Sequence, residues 1–154
     1  MALRFGLCED AQNVGDILAR LVRANGNRLT TGFVATPHLL HALSESGHSD
    51  TAYDLLLQES FPSWLYSVNN GATTIWEHWD GIREDGSVWD KDMNSYNHYA
   101  YGAVGDWLFG ACAGIKCYLT HQWRKFVIQN RVRITTVILS PKSLIPETRK
   151  TRKP

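Results

Sequence analysis

The sequence predicts a mainly α-helical protein that ends in one or two β-strands. Three observations support this fold class: an apolar stripe with helical spacing near the N-terminus, two further helices joined by a short turn, and an alternating pattern after Ile115. At 154 residues, with 44% hydrophobic and 20% charged residues, the chain has the size and composition of one ordinary globular domain.

The first helix is predicted between Ala11 and Ala24. Its apolar side chains recur at i, i+3, i+4, i+7 and i+8, which places them on one helical face: Val14, Ile17, Leu18, Leu21 and Val22. Asn25 and Gly26 predict the end of the helix. We therefore expect this stripe to face the core.

The second and third helices are predicted to form a hairpin. Thr36 before Pro37 fits an N-cap followed by proline at the first helical position, and Gly47 fits the end of that helix. Ser49 is placed to cap a third helix, which cannot continue through Pro62. The short turn between them predicts antiparallel neighbours.

Aromatic residues concentrate in the next part of the chain. Five of the six tryptophans lie between residues 61 and 107: Trp64, Trp76, Trp79, Trp89 and Trp107. Turn-forming Asp-Gly pairs interrupt this region, so some of these rings belong to loops, where they suggest a binding wall. Ser95 to Gly114 then resumes a helical texture, and its many glycines and alanines predict close backbone packing.

The C-terminal part changes texture again. Between Trp123 and Thr135, apolar and polar residues alternate closely enough to predict one or two strands. A two-stranded hairpin is marginal in water, so these strands need a packing partner. Four of the last six residues are basic, between Arg149 and Lys153, which predicts a solvated, disordered tail.

Composition argues against several classes of function. A formal net charge of +1 gives no general attraction to nucleic acid. No signal peptide and no run of about 18 apolar residues is recognisable, so neither a membrane partner nor export is predicted and the cytoplasm is the default expectation. No cofactor or metal site is predicted, because the cysteines and the loop aspartates lack ligand spacing: Cys8, Cys112, Cys117, Asp80, Asp85, Asp90 and Asp92.

The segment from Gly71 to Asp80 carries the strongest chemical signal. It surrounds the carboxylate of Glu77 with Trp76, His78 and Trp79. Indole faces stack on the apolar faces of sugar rings, and a carboxylate in low-dielectric surroundings can hold a water molecule and take its proton. The alternative is a structural glutamate in an aromatic core, and these residues alone do not decide between the two.

Two longer runs, Leu29 to Ile82 and Met93 to Ile115, resemble the C-terminal part of the catalytic domain of bacterial α-L-rhamnosidases. The motifs that carry the resemblance are TTGF, GATTIWE and YGAVGDW. The resemblance implies a partial (α/α)6 six-hairpin barrel and inverting hydrolysis of terminal α-L-rhamnosides. It also implies that Glu77 is the general base and that His98 contacts the sugar.

The implied chemistry agrees with the reading of the residues. Inverting enzymes use one acid to protonate the leaving oxygen and one carboxylate to activate water. We expect Glu77 in the second role, Trp76 and Trp79 as walls of the pocket, and His98 as a hydrogen-bond donor to a rhamnose hydroxyl. For His98 the alternative is a helix-start histidine bonded to a backbone carbonyl, and Trp76 equally fits the core.

Departures from the family pattern define further expectations. The family's general acid lies upstream of TTGF, in a segment that this chain lacks. The alternative is that Asp80, Asp90 or Asp92 serves as the acid. A closed barrel needs more helices than the chain supplies. We therefore expect residues 1–115 to form part of the barrel, residues 116–154 to begin a truncated β region, and the isolated chain to be inactive.

Several alternatives remain open at this stage. The missing upstream part of the barrel is a candidate partner, together with a rhamnose-containing oligosaccharide or glycoside. A non-catalytic carbohydrate-binding or helical scaffold fragment, or a six-hairpin enzyme acting on another sugar, would also fit the residues, since fold does not fix substrate.

Overall fold

Helices form the first part of the computed structural model, which describes residues 1–119, 124–130 and 133–139, with side chains through residue 115. Within these residues the α-helices are α1 (Ala11–Ala24), α2 (Thr36–Glu45), α3 (Ser49–Leu56), α4 (Trp64–Asn69) and α5 (Val104–Trp107). A 3₁₀-helix, Ala100–Ala103, leads directly into α5. Two compact units are distinguished, Met1–Trp107 and the chain from Leu108 onward.

Helix α1 has the bounds that its apolar spacing predicts. Asp10 caps it by accepting a hydrogen bond from the Asn13 backbone N–H at 3.0 Å, and Gly26 leaves the helix at φ +68°. The predicted buried face is only partly right, because the side turned to the core carries the smaller residues: Gly15, Ala19 and Val22. Leu21 is 63% exposed, and Val14 and Ile17 are also exposed.

The caps of α2 and α3 differ from the prediction by one residue. Ala35 occupies the N-cap of α2, so Thr36 is its first helical residue, and its hydroxyl lies 2.9 Å from the carbonyl oxygen of Gly32. His48 occupies the N-cap of α3, and Ser49 begins the helix. The hairpin itself is as predicted, with Gly47 at φ +85° in the turn.

The core of the first unit lies between α1, α2, α3 and the two tryptophans Trp64 and Trp107. Trp107 is 1% exposed, and its indole N–H donates a hydrogen bond to Ser44 Oγ at 3.0 Å. The other members are aliphatic: Ala19, Val22, Leu29, Leu39, Leu40, Leu43, Ala52 and Leu55. Helix α4 was not predicted; Ser63 begins it by accepting a hydrogen bond from the Tyr66 backbone N–H at 3.1 Å.

The predicted helical segment from Ser95 to Gly114 begins later than its composition suggests. Residues 95–99 are irregular because their backbone pairs with an earlier segment, and the His98 N–H donates to the carbonyl oxygen of Ile75 at 2.8 Å. Helical structure starts at Ala100. The close packing predicted for its glycines applies at Gly102, where an added Cβ would lie 3.3 Å from Ile75 Cγ1.

The second unit opens with a π-helical turn, Leu108–Cys112. An antiparallel sheet follows, in the order β1 (Ile115–Leu119), β2 (Arg124–Asn130) and β3 (Arg133–Leu139). Ile115 pairs with Ile128, and Phe126 pairs with Val137. Strand β1 supplies the neighbour that the predicted strands needed.

Three expectations about the end of the chain are not tested. Trp123 and the basic tail from Arg149 to Lys153 lie outside the described residues. The predicted domain boundary after residue 115 also stays a prediction. Over the described residues, no helix has both the length and the apolar character needed to cross a membrane.

Candidate functional site

Two irregular segments that run side by side bring the predicted site residues together. The Glu77 N–H donates to the Ser95 carbonyl oxygen at 2.8 Å, and the His98 N–H donates to the Ile75 carbonyl oxygen at 2.8 Å. The hydroxyl of Thr74 also donates to the carbonyl oxygen of Tyr96. These bonds hold the stretch around Glu77 against the stretch that ends at His98.

The carboxylate of Glu77 is partly buried and hydrogen-bonded on one side. Its Oε2 accepts the Ser95 backbone N–H at 3.0 Å, so Glu77 and Ser95 are joined through both backbone and side chain. Among the described residues, no cation pairs with Glu77 and no donor reaches Oε1. The carboxylate is therefore oriented by the backbone and keeps one oxygen available to a water molecule.

The ring of His98 is held by aromatic contact. It stacks on Phe33 with ring centroids 4.8 Å apart and an interplanar angle of 23°. Its Nδ1 is 3.5 Å from the Ala100 backbone N–H, a long contact at the start of the 3₁₀-helix. The alternative prediction was a helix-start histidine bonded to a backbone carbonyl. His98 does precede the 3₁₀-helix and bonds to the Ile75 carbonyl oxygen, but through its backbone N–H.

A chain of aromatic rings connects His98 to the core. Phe33 contacts Tyr101 at 5.0 Å, Tyr101 stacks on Trp79 at 3.8 Å and 22°, and Trp79 meets the edge of Trp64 at 5.4 Å and 83°. Burial raises the pKa of the Tyr101 phenol, and a hydrogen bond from the Trp79 indole partly opposes this shift. The position of the imidazole therefore depends on the core.

Phe33 was not predicted as a site residue, although it ends the TTGF motif. It lies in the turn before α2, and its ring is 39% exposed while it contacts both His98 and Tyr101. An aromatic residue in a loop with a recognisable motif was the signal that could have identified it.

The two predicted tryptophan walls have different surroundings. Trp76 is 5% exposed, and it packs with Tyr96 at 5.5 Å in an edge-on arrangement. This burial favours the core alternative for Trp76, because little of its ring is left to contact a sugar. Trp79 is partly buried, with one face covered by Tyr101.

The loop carboxylates are engaged locally. Asp80 pairs with Arg83, with Oδ2 and Nε 3.3 Å apart. Hydrogen bonds from the backbone N–H groups of Asp92 and Met93 lower the pKa of Asp90. A general acid must be protonated before it reacts, so this shift argues against Asp90 in that role.

Two features describe the surroundings of the paired segments. An open depression of about 480 Å³ lies beside them, lined by Thr74, Ile75, Asn97, Tyr99, Gly102 and Ala103. His98 stands between the lining residues Asn97 and Tyr99, but neither His98 nor Glu77 lines the depression. In the described part of the chain, no group of three His, Cys, Asp or Glu residues could hold a metal ion.

Comparison with known proteins gives one consistent family. Residues 1–112 match the model of the bacterial α-L-rhamnosidase six-hairpin glycosidase domain. An α-L-rhamnosidase of Streptomyces avermitilis is 47% identical over 117 residues, which are 75% of this chain and 11% of that protein. One from Formosa agariphila is 44% identical over 117 residues, 75% of this chain and 13% of its own length.

Solved structures give the same result. The Streptomyces avermitilis α-L-rhamnosidase complexed with L-rhamnose superposes with a TM-score of 0.73 at 35% identity, covering 90% of this chain and 15% of that one. The native α-L-rhamnosidase of Aspergillus terreus gives 0.74 at 32% identity, covering 89% and 18%. The chain thus spans less than a fifth of these relatives, and the predicted partial six-hairpin fold is confirmed.

Proposed function

Because the chain belongs to the bacterial α-L-rhamnosidase six-hairpin glycosidase family, we propose that it supplies the general-base side of an inverting α-L-rhamnosidase site. Its substrate class would be glycosides with a terminal α-linked L-rhamnose. The observation that carries this proposal is the oriented carboxylate of Glu77 beside the segment that bears His98.

Glu77 has the properties that a general base needs. One carboxylate oxygen is fixed by the Ser95 N–H, and the other is free of donors from the described residues. That oxygen can accept a hydrogen bond from a water molecule and take its proton as the water attacks the anomeric carbon. The fixed oxygen keeps the carboxylate from rotating during the transfer.

His98 is proposed to donate a hydrogen bond to a rhamnose hydroxyl. Its stack on Phe33 holds the ring plane, so the imidazole Nε2 can act as an oriented donor. Trp79 would contribute to the pocket wall the part of its ring that Tyr101 and Trp64 leave uncovered. For Trp76 we propose a packing role behind Glu77, as its burial indicates.

The remainder of the site is proposed to come from the rest of a barrel. The chain spans 15% of the Streptomyces avermitilis structure, so most of that fold has no counterpart here. In an inverting enzyme the acid and base stand about 6.5–9.5 Å apart across the sugar. Loss of acid catalysis costs about 10²- to 10⁴-fold in rate, so the chain alone should turn over very slowly.

The proposal is tested by following L-rhamnose binding and aryl α-L-rhamnoside hydrolysis with the full chain. L-Rhamnose should shift the backbone amide resonances of Ser95 and His98, and Glu77→Gln should abolish whatever slow turnover is measured. Glu84→Gln is the matched control, because Glu84 is exposed and should leave both signals unchanged.

Three results would count against the proposal. If L-rhamnose shifts neither amide resonance, the proposed sugar site is wrong. If turnover survives Glu77→Gln, the proposed role of Glu77 as the base is wrong. Fast turnover abolished by Glu77→Gln would instead place an acid within this chain, and it would correct the proposal that the acid comes from elsewhere.

A further inference from the structure

The loop 78–94 begins directly after Glu77 and ends directly before Ser95. Since Ser95 is bonded to Glu77 through backbone and carboxylate, both ends of this loop are tied at the proposed base. The loop therefore starts and ends beside the proposed base.

The loop is internally fixed at one carbonyl. Gly81 O accepts hydrogen bonds from the Trp89 N–H at 3.3 Å, the Asn94 side-chain amide at 3.0 Å and the Tyr96 hydroxyl at 3.2 Å. An isolated bridge between Ile82 and Val88 closes the turn. A ring carried by this loop is preorganised, so binding need not order it.

The loop carries a stacked pair of rings at its surface. His78 and Trp89 lie 3.7 Å apart with an interplanar angle of 14°, so one face of the indole is backed by the imidazole. Trp89 is still 39% exposed. An indole that is supported on one face and partly exposed offers a flat apolar surface of the kind that packs on the C–H face of a pyranose.

Asp90 adds a hydrogen-bond acceptor beside this surface. The backbone N–H groups of Asp92 and Met93 both donate to Oδ1, at 2.6 and 2.9 Å. Oδ2 receives no hydrogen bond from the described residues. The same two donors lower the pKa of Asp90, so the group is an ionised acceptor at neutral pH.

We propose that Trp89, backed by His78 and flanked by Asp90, binds the sugar ring to which the rhamnosyl group is attached. The indole would stack on that ring, and Asp90 Oδ2 would accept one of its hydroxyls. This inference rests on the proposed function, because it assigns the leaving-group side of the same substrate.

The test compares three ligands on the full chain: L-rhamnose, methyl β-D-glucopyranoside and a rhamnosyl-glucose disaccharide. Binding is followed by the indole N–H resonance of Trp89 and the amide resonances of Ser95 and His98. Trp89→Ala should weaken disaccharide binding about five- to tenfold and leave L-rhamnose binding unchanged. Asp90→Asn should also weaken it, whereas Asp85→Asn in the same loop is the matched control.

The outcomes separate this inference from the proposed function. Suppose that L-rhamnose shifts the Ser95 and His98 amide resonances, but the disaccharide binds Trp89→Ala and Asp90→Asn as tightly as the wild type. This result would overturn the inference and leave the proposed function standing. If the glucoside shifts the Trp89 indole resonance but L-rhamnose shifts no resonance, the proposed function is overturned, while sugar binding at Trp89 is retained. Trp89→Phe retains a flat ring and should recover much of the affinity for the disaccharide that Trp89→Ala loses. A role of Trp89 in folding alone would not predict this recovery.

Discussion

Gly15 lies where α1 packs on the end of α2, and replacing it with alanine sets two opposing effects against each other. In a helix interior, alanine is favoured over glycine by about 1 kcal/mol. Here the added Cβ would lie 2.3 Å from Ser46 Cβ and 2.5 Å from Ser46 Oγ. Both distances are shorter than van der Waals contact allows, so the two helices must separate.

The cost of that separation exceeds the gain in helix propensity. Overpacking of a core contact costs about 1–3 kcal/mol. Displacing Ser46 also endangers the hydrogen bond from its hydroxyl to the Ala42 carbonyl oxygen, 2.7 Å long, which contributes about 1 kcal/mol. After subtracting the propensity gain, Gly15→Ala should lower the free energy of unfolding by about 2 kcal/mol.

The measurement is urea unfolding followed by circular dichroism. Gly105→Ala is the matched control, because Gly105 lies in α5 and an added Cβ would meet nothing within 4 Å. The control should be neutral or up to about 1 kcal/mol more stable. Ser46→Gly should restore much of the stability in the Gly15→Ala background. An alanine variant as stable as the wild type, or a double variant without recovery, would refute the packing argument.

Two further predictions concern single contacts. The hydrogen bond from His48, 2.7 Å long, is the main cause that lowers the pKa of Asp16. This bond therefore stabilises the fold above the pKa of Asp16 in the unfolded chain, and the stabilisation is lost as pH falls through its folded pKa. The wild type should therefore lose more thermal stability than His48→Ala between about pH 5 and about pH 2, and equal losses would contradict this pairing. Ser63→Ala should cost about 1 kcal/mol by removing the cap on the Tyr66 N–H, whereas Ser63→Gly should cost only a few tenths, as denaturant midpoints would measure.

The bounds of α1 could be predicted because strong apolar spacing, an aspartate cap and an Asn-Gly stop all agree. Its buried face could not, because spacing finds the most apolar stripe and not the one that meets a neighbour. Gly15 has no side chain and so allows the end of α2 to approach, and Ala19 is fully buried, while Leu21 on the larger stripe stays exposed. Helix α4 was missed because its six residues are too few for periodicity.

The candidate site divides in the same way. The carboxylate of Glu77 and the aromatic residues around it could be identified from the sequence, and the family resemblance linked them to His98. The contacts that orient them were not, since the Ser95 N–H and the Phe33 ring reach the site through irregular backbone with no periodic signal. The sequence also could not decide whether Trp76 is buried in the core or lines the pocket, because both positions place an aromatic ring beside an acid.

The hydrogen bonds between Glu77 and Ser95 fix the two ends of the intervening loop, so a change in its outer turn need not move those ends. Exchanging only residues 83–87, between the bridged Ile82 and Val88, for a segment of different length should therefore leave the Glu77 carboxylate, Trp79 and the His78–Trp89 pair in place. Under the proposed function, the length of this turn could then be varied without altering the proposed base or the Trp79–Tyr101 stack that leads to His98.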